Sequence, residues 1–253
     1  MPKFIDHPSD SRVKAIIVAD SGVGKTASLA SLANAGYHLR ILDFDNGLDI
    51  LRNYVEPDAM DNIHYRTFNT EDPKSPDEAA RMAVHWKSTS NFAGEDLGPI
   101  SETGSKDVLV LDTASSFGHC VEEFEMKKHK DGRKGNWEAQ KTVARFLQYL
   151  AGPNVPCNVI VNTHYRLVEN EQTGQMKAYP EVVGRVLAMK VGRHFNNLWR
   201  IDIKRVEKQQ VRMLKTGSDA YMALKCSAPN AVKTEEPLDL ADIFNRMTSK
   251  KGN

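Results

Sequence analysis

The sequence predicts an α/β fold: a mostly parallel sheet flanked by helices, with antiparallel strands near the C-terminus. Three observations carry this. Four short aliphatic runs in the first two-thirds do not alternate apolar with polar residues, which is how strands buried on both faces read. Helical patterns separate them, and strand–helix alternation builds parallel sheets. In the last third three runs follow closely, with a turn signal between two of them, as antiparallel neighbours do.

The four runs are "VKAIIVA" (13–19), "HLRILDF" (38–44), "DVLVLD" (107–112) and "NVIVN" (158–162). "KTASLASLANAG" (25–36) is a helix ending at Gly36, a residue suited to a C-cap. "PDEAARMAVHWKSTS" (76–90) opens on Pro76, tolerated in a first helical turn. "NWEAQKTVARFLQYLAG" (136–152) spaces Trp137, Val143, Phe146, Leu147 and Leu150 at a helical period. The antiparallel runs are 198–204, 211–216 and 220–226, with "TGSD" (216–219) as the turn. Residues 237–247 form a final short helix and 248–253 a loose tail. Segments 90–106 and 169–180 are long surface loops, and loops of that length are usually functional. The expected division is an N-terminal arm (1–12), a core (13–228) and a C-terminal helix with tail (229–253).

At 253 residues with 40% hydrophobic content, one sizeable core is within reach. The net charge of +1 excludes bulk electrostatic attraction to nucleic acid or anionic lipid, so any such binding rests on local patches or repeated subunits. Cys120, Cys157 and Cys226 are scattered, without metal-ligand spacing, as in a reducing cytoplasm. No apolar run approaches membrane-spanning length, and the first residues lack the apolar core of a signal peptide. The expectation is a cytoplasmic protein without a membrane partner.

"ADSGVGKT" (19–26) follows the first strand and opens the first helix. This is a phosphate-loop pattern, with Ala19 where glycine is more usual. Gly22 and Gly24 let the backbone curl so that the N–H groups of Asp20 to Ala27, including those of Ser21 and Val23, face phosphate oxygens. The helix dipole points its positive end at the same place. Lys25 reaches the β- and γ-phosphates and Thr26 offers its hydroxyl to Mg²⁺. Asp112, ending an aliphatic strand, supplies the second metal acid, with Thr113 beside it; the competing reading is a cap for the next helix. "LDFDNGLD" (42–49) ends another strand with Asp43 and Asp45. Locally, Asp45 fits a helix cap and a water-activating carboxylate equally well.

The order of these motifs resembles the RecA-type recombinase core: phosphate loop, acid-ended strand with x-Gly-Leu-Asp, aliphatic-Asp strand, then "NVIVNTH" (158–164). In particular it resembles the short phage RecA-like ATPases, the AAA-type nucleotide-binding proteins of single-strand annealing and recombination. The resemblance spans about 13–228. It implies a RecA-like P-loop NTPase core that hydrolyses ATP with Mg²⁺. It places Asp45 where the family keeps a water-activating glutamate, one methylene longer. Asp49 and Arg52 fall at the adenine contacts, with the planar guanidinium in place of a stacking aromatic. His164 falls at the γ-phosphate sensor, and Asp43 takes a supporting role. The resemblance also implies a homo-oligomer, a ring or filament, in which Lys225 enters the neighbour's site; Ser227 stands where a second cation is common.

Two segments compare with DNA-binding loops. In "MKKHKDGRKGNW" (126–137), Lys127, Lys128, Lys130, Arg133 and Lys134 crowd a turn that can neutralise a phosphate backbone. Trp137 is either a base-stacking residue or a core position. In 166–182, affinity leans on Arg166 and Lys177. The implied function is ATP-dependent single-stranded DNA binding in annealing or recombination, with a single-strand-binding or other recombination protein as a further partner. A phage-encoded chain would act in its host's cytoplasm. The rival readings are a RecA-like helicase or replication-loader ATPase, and a nucleotide-gated scaffold without DNA contact.

Overall fold

The computed structural model describes residues 12–87, 94–169, 174–207 and 209–249. The strands are β1 (Lys14–Val18), β2 (His38–Asp43), β3 (Ile63–Thr67), β4 (His85–Trp86), β5 (Gly98–Pro99), β6 (Asp107–Asp112), β7 (Asn158–Thr163), β8 (Tyr165–Glu169), β9 (Met176–Pro180), β10 (Asn197–Val206), β11 (Gln209–Lys215) and β12 (Glu235–Pro237). The helices are α1 (Lys25–Asn34), α2 (Ser75–Met82), α3 (Ala114–Lys128), α4 (Gly132–Ala151), α5 (Arg185–Lys190) and α6 (Leu240–Ser249).

Eight strands form the central sheet in the order β12-β11-β10-β1-β7-β6-β2-β3. From β10 to β3 every pairing is parallel, and β10–β11 and β11–β12 are antiparallel. The fold is therefore of the α/β class expected, a mostly parallel sheet with antiparallel strands from the C-terminal part of the chain at one edge. β1, β2, β6 and β7 are buried on both faces, which explains why they read as continuous apolar stretches. One apolar cluster packs on each face. α3 and α4 cover one side through Phe117, Val121, Val143, Phe146 and Leu147, while α1 and α6 cover the other through Leu29, Leu32, Ile243 and Phe244. Parallel pairing brings the carboxyl ends of β1, β2, β6 and β7 to one edge, where ligands bind in open α/β sheets.

Several expectations change. The helix expected over 76–90 stops at Met82, because Trp86 turns inward, 1% exposed, to pair with β5. The loop expected over 90–106 contains β5 and the fully buried Ile100; residues 88–93 lie outside the described ones. The strand expected at 220–226 is a turn. Asp219 accepts the amides of Tyr221 (2.9 Å) and Met222 (2.8 Å), and Ser218 bonds both backbone groups of Leu224, so these groups are lost to a ladder. Only Lys225 bridges to Leu198, and β12 takes the place beside β11. The loop expected at 169–180 contains β9, which pairs with β8 as a hairpin; residues 170–173 lie outside the described ones. The basic turn within 126–137 is the junction of two helices. Of the arm expected at 1–12, residues 1–11 lie outside the described residues, as do 250–253 of the tail expected at 248–253, whose first two residues instead end α6.

Candidate functional site

Register sets the site. Asp43 pairs with Asp112 and Asp112 with Asn162, so three polar side chains stand in one row across β2, β6 and β7. All three are fully buried. On the next strand, β1 leads into the loop at 19–24. Gly22 (φ +74°) and Gly24 (φ +110°) adopt left-handed conformations that favour glycine, and Gly24 starts α1.

Lys25 is 6% exposed and all three of its ammonium donors are engaged. They go to the carbonyls of Ala19 and Asp20, each at 3.0 Å, and to Nδ1 of His164 at 3.2 Å. Burial lowers the Lys25 pKa, and Asp112 and Asp45 oppose that shift. An ammonium can only donate, so His164 Nδ1 accepts and the imidazole proton sits on Nε2. That nitrogen lies 3.8 Å from the Asp45 carboxylate. Lysine, histidine and aspartate thus form one chain across the end of the sheet.

The two acids of 42–49 divide their work. Asp43 makes the turn: its carboxylate accepts the amides of Asp45 (3.1 Å) and Asn46 (2.9 Å) and the Thr67 hydroxyl (2.8 Å). Burial raises its pKa and these bonds oppose the rise. Asp45 caps no helix; the short 3₁₀ turn Leu48–Asn53 starts at Gly47 without a side-chain cap. Its carboxylate instead accepts the hydroxyls of Thr113 (3.0 Å) and Ser116. Burial would raise its pKa, but His164, Ser116 and Thr113 together hold it below the usual value, so it stays ionised.

Asp112 likewise caps nothing. Thr113 is the N-cap of α3, accepting the Ser116 amide at 3.3 Å. Asp112 accepts the Thr26 hydroxyl at 2.7 Å and the Asn162 amide at 3.1 Å. Burial pushes its pKa up to about 6 against these two bonds. The Asn162 carbonyl oxygen is buried without a hydrogen-bond partner. An alcohol, a desolvated carboxylate and an orphaned amide oxygen make an all-oxygen set that fits a hard divalent cation such as Mg²⁺ with bound water. Among the described residues, no group of three or more His, Cys, Asp or Glu is placed to hold a metal.

Residues 11–223 match the protein family described as "AAA domain" (AAA_24). The chain belongs to that AAA domain family. The AAA domain, an AAA-type phosphate-loop ATPase domain, is a nucleotide-binding unit. No curated protein matches the chain. Among solved structures, it is similar to a KaiC-like protein from the hyperthermophilic archaeon Pyrococcus horikoshii OT3 (12% identity over 80% of this chain and 77% of that one, TM-score 0.41). It is also similar to the RadB recombinase (15%, 80% and 79%, 0.45) and to the flagellar accessory protein FlaH from Methanocaldococcus jannaschii (11%, 89% and 86%, 0.46).

Within this AAA domain, Lys25, Thr26, Asp45, Asp112 and His164 converge. Other expected residues are placed elsewhere. Asp49 and Arg52 are exposed and 4.0 Å apart, on the wall of a cleft of about 310 Å³ shared with Met60 and Tyr65 and with no phosphate-loop residue. Lys225 is exposed beside β10. Lys127, Lys128, Lys130, Arg133 and Lys134 are exposed around the α3–α4 junction, where Lys127 and Lys128 lie 3.6 and 3.7 Å from Glu123 and Glu125. Trp137 is not a core residue: it is 58% exposed, with Lys141 4.4 Å above its ring. Arg166 lines a cleft of about 720 Å³ with Asp45, Ser116 and His164, and Lys177 is exposed on β9.

Sequence reasoning missed Ser115 and Ser116. Ser115 accepts the His164 amide at 3.0 Å and donates to the Glu181 carbonyl at 3.2 Å, tying β7 to the end of the β8–β9 hairpin. The run Thr-Ala-Ser-Ser directly after Asp112 was the available signal. Tyr165, whose hydroxyl donates to Asp20 at 3.1 Å, had none.

Proposed function

We propose that the chain is an ATP-dependent single-stranded DNA-binding ATPase of the annealing or recombination class, working as a homo-oligomer. One observation carries the reading. His164 stands between the phosphate-loop lysine and the Asp45 carboxylate, and the next residue begins the β8–β9 hairpin. A change at the γ-phosphate is thereby felt at the hairpin root.

The chemistry follows from the side chains. The β- and γ-phosphates of ATP draw Lys25 away from two carbonyls, because an ammonium bonds an anionic phosphate oxygen more strongly than a neutral carbonyl. Amides of the phosphate loop share the negative charge. Asp45, kept ionised, orients a water and takes its proton as the water oxygen attacks the γ-phosphorus. The β–γ bridging bond breaks, and ADP and phosphate leave. Thr26 and Asp112 would hold Mg²⁺, which supplies charge neutralisation on the phosphates. When the γ-phosphate takes the Lys25 ammonium, His164 loses its partner. Its backbone, held by Ser115 and by the Glu181 amide (2.8 Å), transmits that change to the hairpin carrying Arg166 and Lys177.

The DNA reading is supported by an electrostatic misfit at the α3–α4 junction. Arg133 and Lys134 sit in the first turn of α4, where the helix dipole disfavours cations by about 0.3–1 kcal/mol each. Asp131, accepting the Arg133 amide at 2.9 Å, relieves this in part. A sequence that breaks a local rule on an exposed tip is often serving a ligand there. An anionic polymer along Lys127, Lys128, Lys130, Arg133 and Lys134 removes the misfit, and repetition around an oligomer supplies avidity that a chain of charge +1 lacks.

Fluorescence anisotropy with a labelled single strand tests this. ATP should tighten binding. Reversing Lys127, Lys128 and Lys130 to Glu should weaken it at least about tenfold and flatten its salt dependence. Binding that ignores the reversal, or is absent in the wild type, points to a nucleotide-gated scaffold. Unwinding of a tailed duplex would point to a helicase.

A further inference from the structure

We infer that Ser116 is a phosphoryl acceptor: the γ-phosphoryl group of ATP bound at the phosphate loop passes to its hydroxyl, giving phosphoserine and ADP. This rests on the nucleotide-site reading above and gives that site a second product besides free phosphate. A serine hydroxyl becomes a nucleophile when a base within hydrogen-bond reach takes its proton and a third group orients that base. All three parts are present. The Ser116 hydroxyl donates to Oδ1 of Asp45. The Asp45 carboxylate faces Nε2 of His164 at 3.8 Å. Nδ1 of His164 lies 3.2 Å from the Lys25 ammonium, the group that reaches the β- and γ-phosphates.

Three hydroxyls stand together at the start of α3, and one of them suits the role. Thr113 also donates to Asp45, at 3.0 Å, but it is fully buried, and its oxygen accepts the Ser116 amide as the cap of α3. Ser115 opens onto the cleft of about 720 Å³, yet its hydroxyl is shared among Thr163, the Glu181 carbonyl and the His164 amide, none of which is a base. Ser116 both bonds the carboxylate and lines that cleft beside Asp45 and His164. A water must come from solvent to meet Asp45, whereas this hydroxyl is already held against it. A tethered nucleophile has that entropic advantage.

The step balances with the residues at hand. Asp45 takes the Ser116 proton, Oγ bonds to the γ-phosphorus, and the β–γ bridging bond breaks with its electron pair leaving on ADP. The product sits in a favourable field. Ser116 lies in the first turn of α3, where the helix dipole and the free amides favour a phosphate group. Arg166 lines the same cleft, and a guanidinium pairs with phosphate through two parallel bonds.

Intact-mass spectrometry with peptide mapping tests the inference, on the full chain incubated with ATP and Mg²⁺, with ADP quantified in the same reaction. The wild type should gain one phosphoryl group in most molecules, located on Ser116. Ser116→Ala should gain none. Asp45→Asn should slow the gain by about 10²–10⁴-fold, the usual worth of a general base. Lys25→Ala should gain none, since a phosphoryl group on that variant would come from outside its own phosphate loop. ADP formed with no more than a trace of phosphoryl group on the wild-type chain overturns the inference and leaves the ATPase reading standing. So does a phosphoryl group on Thr113, Ser115 or any other residue in place of Ser116, or a gain undiminished in Asp45→Asn or Lys25→Ala. Neither ADP nor a phosphoryl group from the wild type sinks both the inference and the ATPase reading beneath it.

Discussion

At the residue scale, the division between Asp43 and Asp45 decides the chemistry. Local sequence left Asp45 equally suited to capping and catalysis, because both uses put an acid between a strand and a helix. Hydrogen bonds separate them. Asp43 takes the turn amides, Thr113 takes the cap of α3, and Asp45 is left facing His164. Asp45→Asn should therefore lower ATP hydrolysis by about 10²–10⁴-fold, the usual range for a general base. Nucleotide affinity should stay within about threefold, as no phosphate contact is lost. Single-turnover hydrolysis with equilibrium binding reads both, and hydrolysis that survives the substitution removes Asp45 from the mechanism. The phosphate loop and the strand-end acids were legible because each is a contiguous pattern, although the partners of Asp45 and Asp112 come from distant elements. Arg212, which donates to the Val23 carbonyl of that loop at 3.0 Å, was not, because the two lie 189 residues apart and no local pattern links them.

At the element scale, the parallel strands were legible for a physical reason: burial on both faces leaves only apolar residues. Elements settled by side-chain competition for the backbone were not. The run 220–226 has strand composition, yet Ser218 and Asp219 take its amides. Asp219 is also fixed by Arg200, whose guanidinium lies 2.6 Å away, with Lys215 3.7 Å off. Partial burial would raise the Asp219 pKa, but Arg200 and the turn amides hold it at about 2 instead of the usual 3.8. A depressed carboxylate stabilises the folded chain above its unfolded pKa and loses that contribution as pH falls through its folded one. Asp219→Asn should thus cost about 1 kcal/mol at pH 7, a modest figure because the side chain is part-exposed. The gap from wild type in urea midpoint should close between pH 4 and pH 2. A gap constant down to pH 2 would assign the loss to turn geometry rather than charge. Trp137 teaches the same lesson from the other side: it fits the apolar period of α4, yet lies just past the buried stripe.

At the scale of the whole molecule, one sheet carries two apolar clusters and gathers its chemistry at one edge. α6 packs against α1, so the C-terminal segment braces the helix that follows the phosphate loop. That rigid side contrasts with the opposite end of the site, where His164 leads into a hairpin and a cleft of about 720 Å³ opens beside Asp45. In the proposed function this edge couples ATP turnover to single-stranded DNA. The most direct measurement is the steady-state ATPase rate of the wild type and of Lys25→Ala, each with and without single-stranded DNA. DNA should raise the rate in the wild type, and Lys25→Ala should abolish it with or without DNA. A wild-type rate indifferent to DNA, or one that survives the loss of Lys25, would rule out that coupling.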